Sequence, residues 1–551
     1  MSRMLRVSGL VVALLVVCSR AVWAEQHAQW PRMALETLRR VAIQHNGRNK
    51  PLDSFARETL QLITGKPRVE RVDPVATVLA IIAEPEHWQQ VPLIAVPFVP
   101  LRDALGIDRK TTHVSHNDLV ATRKLMRMLP AIVQKQQHDE KLSMLDNETM
   151  DAFQRFVALS GVLEQKLALV PPSSVSEREW LPILQPQGYP LKQQEAIREA
   201  WTQLVNALHA GDAQAIQASS KRLSEVLREA NRAAYPATWR LDLEVCYNTV
   251  APFHIARVFY LLAFLSFCLS FMMSARWGAG VGMGALWAGY ASHVVGILMR
   301  VVLGGRPPVS NFFETMLWLP FSAMTLALIF DRVYRVRYFG LAASLLAAIT
   351  LFLTDYVPLD QSIAPVVAVL HSNLWLTIHV LTIVASYGAL ALATVLAHVY
   401  GVVYLRPRGV QDTLVALDGF LYRVLQVGVV LLAGGVMLGA VWANASWGRY
   451  WGWDPKETWA LITLLWFLAI LHGRFAGWLT GIGVALSTIS GFFLLLMTYY
   501  GVSFYLVGLH SYAGGHAKPL PLLLIAYLMA ECAFLAVVGA SALRRNRASS
   551  V

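Results

Sequence analysis

The sequence is poor in cysteine and in charge. Its four cysteines, Cys18, Cys246, Cys268 and Cys532, lie far apart in 551 residues and form no C-x-x-C pair. That spacing excludes a disulfide framework, a zinc knuckle and a thioredoxin-like redox pair, so any thiol chemistry has to come from a partner. Charged residues make up 15% of the chain and hydrophobic residues 56%. Water-soluble chains carry roughly 25% charged residues, so a large part of this one is solvated by lipid. Lys+Arg 47 against Asp+Glu 35 gives a formal net charge of +12, and where those charges fall decides what they mean.

Residues 1–24 begin with Arg3 and Arg6, continue through the apolar run Val7–Cys18, and end Val22-Trp23-Ala24. This is the pattern of a cleavable export signal, with an uncleaved N-terminal anchor as the alternative; the apolar run is short for a span of roughly 20 residues. From 25 to 250 no long apolar run occurs, and charged residues alternate with apolar ones at helical spacing, as in Lys192–Leu208 and Ala213–Ala230. The expectation is an extracytoplasmic, mainly helical soluble domain. Breaks at Pro171-Pro172-Ser173-Ser174 and Gln185–Pro190 divide it into two expected lobes. Its most distinctive stretch, Val41–Ala56, reads as a turn followed by an Asp/Ser helix cap.

The remainder, 251–551, reads as an all-α polytopic membrane bundle of about nine spans: 253–273, 279–303, 312–330, 338–356, 374–404, 420–441, 457–472, 478–499 and 520–541. With the soluble domain outside, the inner loops hold Arg276, Arg332, Arg335, Arg337, Arg406, Arg408, Arg474, Arg544, Arg545 and Arg547, whereas the outer loops hold Arg306, Arg449, Lys456 and Lys518. This bias agrees with the orientation and assigns most of the positive charge to topology rather than to nucleic acid.

On that orientation the sixth and seventh spans are joined outside by Val441–Trp459, which holds Trp442, Trp447, Trp451, Trp453 and Trp459 together with Gly448 and Gly452. Aromatic faces suit a flat polyaromatic ligand, and Arg449 or Lys456 suits its carboxylates; an interfacial aromatic belt is the other reading. The embedded Asp454-Pro455-Lys456-Glu457 caps the next helix and favours a shaped loop. His379 lies at the outer end of the fifth span, just after His371, and His510 lies in the outer loop after the eighth. His293 falls midway along the second span and His472 at the inner end of the seventh. Neutral imidazole is a good axial ligand for haem iron, and ionisable groups at membrane depth are functional candidates.

Together, Trp447–Trp459, Leu471-His-Gly-Arg474, Gly501-Val-Ser-Phe504, Gly508-Leu-His-Ser-Tyr-Ala513 and Gly304–Thr315 resemble the CcsA/ResC branch of the tryptophan-rich (WWD) haem-handling family of system II cytochrome c biogenesis. The stretch around Gly47–Asp53 is similar to the segment preceding CcsA in CcsB–CcsA fusions. The resemblance implies haem b as the substrate, bound outside by His379 and His510 at the tryptophan loop and held within the membrane by His472. It gives the second transmembrane histidine to a CcsB part, which leaves His293 or a separate CcsB/ResB-type protein to supply it. It also implies an apocytochrome c bearing C-x-x-C-H, thiol-reducing partners, a bacterial inner membrane, and a holocytochrome c synthase role. Two alternatives remain: a CcmC-like haem-delivery protein without synthase activity, and a polytopic transporter with interfacial tryptophans.

Overall fold

The computed structural model describes residues 30–69, 72–138, 140–174, 178–273, 276–357, 359–364, 373–406, 409–509 and 520–549. The expected export segment 1–24, His371 and His510 lie outside the described residues. The chain forms two compact units, Met1–Thr249 and Val250–Val551.

The first unit is built around a hairpin. Strands β1 (Ala42–His45) and β2 (Arg48–Pro51) pair antiparallel, with Ala42 opposite Pro51 and His45 opposite Arg48. The two-residue turn needs left-handed backbone at both positions, and Asn46 (φ 52°) and Gly47 (φ 71°) provide it. The longer helices that follow include α1 (Leu52–Thr64), α2 (Pro74–Ala83), α3 (Met144–Leu163), α4 (Leu191–Ala210), α5 (Ala213–Ala230) and α6 (Thr238–Val250). One continuous hydrophobic core runs from Trp30 to Leu241. The two expected lobes are therefore a single one: residues on both sides of each break belong to the same core, and Val170 and Leu181, on either side of the first, pair with each other.

The cap expected at Asp53 and Ser54 is also corrected. Both lie inside the first turn of α1, and their side chains turn into a buried ionic network. Asp53, fully buried, accepts hydrogen bonds from Arg39 (2.7 Å), Arg57 (2.8 Å) and Asn248 (3.0 Å). Ser54 donates to Glu244 (2.6 Å), which also accepts both guanidinium nitrogens of Arg48 (2.7 and 2.6 Å). A carboxylate surrounded by buried cations gains more from them than from capping exposed amides.

This network makes the unit sensitive to acid. Burial alone would raise the Glu58 carboxyl, but the His45 ring 3.7 Å away and the Lys50 ammonium hold it below the ordinary glutamate range. Asp73 is likewise pushed up by burial and pulled further down by Arg39 and by the Ala76 amide at the start of α2. Both folded-state values lie below the unfolded ones, so their contribution is complete above the ordinary carboxylate range and is lost as pH falls through the folded values. Hydrogen-exchange protection of the β1–α1 amides, corrected for intrinsic rates, is expected to hold at neutral pH and to fall below about pH 4. Protection unchanged through that range would refute the role given to the network.

Among the described residues nine helices are long and apolar enough to cross a membrane. In the second unit they are α7 (Pro252–Met273), α8 (Arg276–Gly304), α9 (Phe312–Tyr334), α10 (Tyr338–Tyr356), α11 (Asn373–Tyr404), α12 (Gln411–Trp447), α13 (Pro455–Phe475), α14 (Gly481–Leu496) and α15 (Leu522–Ser549). The chain is an all-α polytopic membrane protein. After α14 the helix continues through one π-helical turn, Met497–Gly501, into Val502–Tyr505.

Helix α12 is much longer than the expected 420–441. It continues to Trp447 and is closed by Gly448 in the left-handed conformation (φ 72°). Trp442 and Trp447 therefore stand on a helix, and the irregular loop is only residues 448–454. The middle of α12 packs closely against α11. A Cβ on Gly428, Gly435 or Gly439 would come within 2.7 Å of Leu390, Ile383 or His379, respectively. Small residues on one face let two helices approach where apolar burial gives no driving force between them.

Candidate functional site

The close α11–α12 contact ends at His379. Its Nδ1 lies 2.9 Å from the Gly435 carbonyl oxygen, and since that oxygen can only accept, the ring donates through Nδ1. In the neutral ring the lone pair is then on Nε2, the arrangement in which a backbone carbonyl fixes the tautomer of a ligating imidazole. His379 lies nearly parallel to Trp442, with centroids 6.0 Å apart and planes at 7°, and Trp447 meets Trp442 edge-on at 4.7 Å. Trp442 is buried at 3% exposure. His379 and the first two tryptophans thus form one cluster where α11 meets α12.

The other loop tryptophans form a second group. Trp451 and Trp453 are perpendicular at 5.8 Å, and Trp453 combines 70% exposure with a left-handed backbone (φ 56°). A bulky side chain rarely adopts that region, and such outliers concentrate at ligand-binding surfaces. The strain is imposed by the next residues. Asp454 caps α13, accepting from the Lys456 amide (2.9 Å), while Glu457 accepts from the amides of Gly452 (2.8 Å) and Asp454 (3.2 Å). The other Asp454 oxygen accepts from the Leu509 amide (2.7 Å). Asp454 therefore ties the loop to the segment immediately ahead of position 510. Trp459 is half-buried on the second turn of α13, its carbonyl accepting from Thr463 and Thr498.

The two cations of the loop separate. Arg449 is exposed, its guanidinium lying so close over Gly452 that any side chain there would collide with it. Lys456 turns inward, donating to the Tyr499 carbonyl (3.2 Å) in the π turn and to Ser503 (2.8 Å). Arg449, rather than Lys456, is placed to meet a carboxylate at the surface. A π turn frees carbonyls from their usual helical partners, and Lys456 takes one of them.

His472 repeats the His379 pattern at the far end of α13, roughly 25 Å from the loop by helical rise. It is exposed, and its Nδ1 donates to the Leu468 carbonyl (2.8 Å), leaving the lone pair on Nε2. His293 differs. It is fully buried, Nε2 donates to the Leu317 carbonyl (3.0 Å), and Nδ1 accepts from the Tyr260 hydroxyl (3.2 Å). Phe253 and Phe321 enclose the ring edge-on. With both nitrogens engaged, His293 could bind iron only after a core hydrogen bond broke.

Two further charged features belong to the bundle. Glu314, from the Pro-Val-Ser-Asn-Phe-Phe-Glu segment, is 1% exposed and accepts from Arg300 (3.1 Å), Arg306 (2.8 Å) and both the amide and hydroxyl of Ser310 (2.9 Å each). The arginines also donate to the carbonyls of Gln361, Ser362 and Ala364. This cluster reaches the tryptophan loop through Thr315, whose hydroxyl meets that of Tyr499 at 2.8 Å. The second feature, His398 bonded to Glu531 at 2.8 Å, joins α11 to α15 and escaped the sequence reading. Its signal was present: Glu531 is the one acidic residue within the apolar run of α15.

A polytopic helical membrane protein is thus defined, with an aromatic surface at one end of its bundle and orientation-fixed histidines at both. Residues 309–510 match the family model described as cytochrome c assembly protein. The chain is 34% identical over 261 residues to the cytochrome c biogenesis protein CcsA of Guillardia theta, covering 41% of this chain and 85% of that protein. It is 32% identical over 266 residues to the CcsA of Chlorella vulgaris, covering 41% and 84%. Similarity to protein NrfI of Wolinella succinogenes, 32% over 515 residues, covers 86% of this chain and extends beyond the membrane unit; the chain spans 54% of NrfI. The chain belongs to the cytochrome c assembly protein family.

Proposed function

We propose that this protein carries haem b across the bacterial inner membrane and takes part in its covalent attachment to apocytochrome c. His379 and His510 hold the iron at the tryptophan surface on the periplasmic side, and His472 holds it nearer the cytoplasmic side. Each thiol of a C-x-x-C-H segment adds across one vinyl group, sulfur bonding to one carbon and hydrogen to the other, with no net oxidation. The protein's contribution is to orient the reactants and exclude water, with Trp451 and Trp453 supplying stacking area and Arg449 a partner for a propionate. A CcsB/ResB-type membrane protein supplies the second transmembrane ligand, while His293 packs the core, and thiol-reducing proteins keep the cysteines available.

The observation that carries this reading is the shared state of His379 and His472, each donating Nδ1–H to a backbone carbonyl. His293 is enclosed in the core, and His398 is held to Glu531. Absorption spectra of the detergent-purified protein, co-expressed with the partner, test it. Reduced bands of bis-histidine type are expected, weakened in His379→Ala and His472→Ala and retained in His398→Gln. A colourless preparation would sink the reading.

A further inference from the structure

We propose that the end of the α8–α9–α10 group carries a binding site for the phosphate-bearing headgroup of an anionic phospholipid. Helix α9 ends on Arg335, whose left-handed backbone (φ 55°) turns the chain sharply before α10 begins at Tyr338. That short turn brings three arginines onto one concavity. A cavity of about 280 Å³ is lined by Arg332, Arg335 and Arg337, together with Asp331 and Met283 of α8.

Four features point to an anionic amphiphile. First, the wall carries three cations against one carboxylate. Second, no carboxylate lies within ion-pairing distance of these guanidinium groups among the described residues, and their one side-chain hydrogen bond there is the long contact from Arg337 to Ser270 (3.4 Å). Third, the arginines stand where apolar spans end, the depth of a headgroup, and a basic pocket between helix ends there fits an anionic head. Fourth, Ile329 and Val333 of α9, on either side of Arg332 in the last turns of the helix, are 55% and 63% exposed. Those residues give acyl chains an apolar path beside the cavity. An orientation bias accounts for arginines in this loop; it does not account for their convergence on a cavity beside such a path.

Binding of phosphatidylglycerol and phosphatidylcholine to the full chain is measured by native mass spectrometry in detergent. The parent is expected to retain phosphatidylglycerol selectively. The triple variant Arg332→Gln, Arg335→Asn and Arg337→Gln is expected to bind it at least tenfold more weakly, with phosphatidylcholine unchanged; asparagine at 335 tolerates the left-handed backbone. Arg544→Gln, at the end of α15, is the control and should bind like the parent. Equal retention by the triple variant overturns the proposal, and displacement of the lipid by millimolar inorganic phosphate overturns it in favour of a soluble anion. Should the triple variant fail to fold, a photoreactive phosphatidylglycerol on the parent decides: cross-links at Met283 or 329–337 support the site, and cross-links confined elsewhere overturn it.

Discussion

Gly439→Ala is expected to lower haem retention by about 10- to 100-fold while leaving the melting temperature of the protein almost unchanged. The new methyl would lie 2.7 Å from Cε1 and 3.0 Å from Nδ1 of His379. The ring has to move, and the Nδ1–H bond to Gly435 that orients it is lost with the movement. Loss of such an orienting bond typically costs one to two orders of magnitude in ligand affinity. The global cost is small because a side-chain tip yields more easily than backbone, and alanine favours a helix interior over glycine by roughly 0.5–1 kcal/mol. Gly434→Ala is the control, since a Cβ there meets nothing within 4 Å. Haem per protein and thermal unfolding are measured on both. Equal haem content in the two variants would show that the α11–α12 contact does not position the imidazole.

Glu314→Ala should produce the largest loss of stability in the membrane unit. The carboxylate and the Arg300 side chain are each 1% exposed, and Arg306 completes the cluster at 15%. Removing the one anion leaves two cations facing each other in a low-dielectric setting. Breaking a buried pair in this way costs roughly 3–5 kcal/mol. Both connections it organises, 305–311 before α9 and 359–364 after α10, are expected to loosen together, because the arginines bond carbonyls of the second while sharing the carboxylate with the first. Thermal unfolding in detergent checks the magnitude, and proteolytic sensitivity of the two connections checks the coupling. Glu314→Gln keeps an acceptor for one arginine and should fall between alanine and the parent; a glutamine variant as unstable as the alanine one would place the effect in charge alone.

The membrane architecture was legible in the sequence because it follows from composition. Long apolar segments must span and hydrogen-bond internally, so nine spans can be counted from hydropathy. The Asp454-Pro455-Lys456-Glu457 cap was legible for the same local reason: its partners are within three residues. The motif set around the tryptophans was specific enough to name the family before any coordinates.

What the sequence could not supply is set by partners distant along the chain. Asp53 and Ser54 read as a helix cap, yet Arg39, Asn248 and Glu244 draw them inward. The Pro-rich breaks read as a lobe boundary, yet one core crosses them. Helix α12 runs past its expected apolar stretch at both ends, from Gln411 to Trp447. The four histidines look alike in a one-dimensional reading. Only the tertiary structure places His379 against Gly435 and Trp442 of the neighbouring helix, His293 in the buried core and His398 against Glu531. Local sequence fixes which segments are helices and where the membrane begins and ends, since those depend on neighbouring residues and on solvent. The carbonyl that orients His379, and which cation faces the surface, depend on residues brought near by packing.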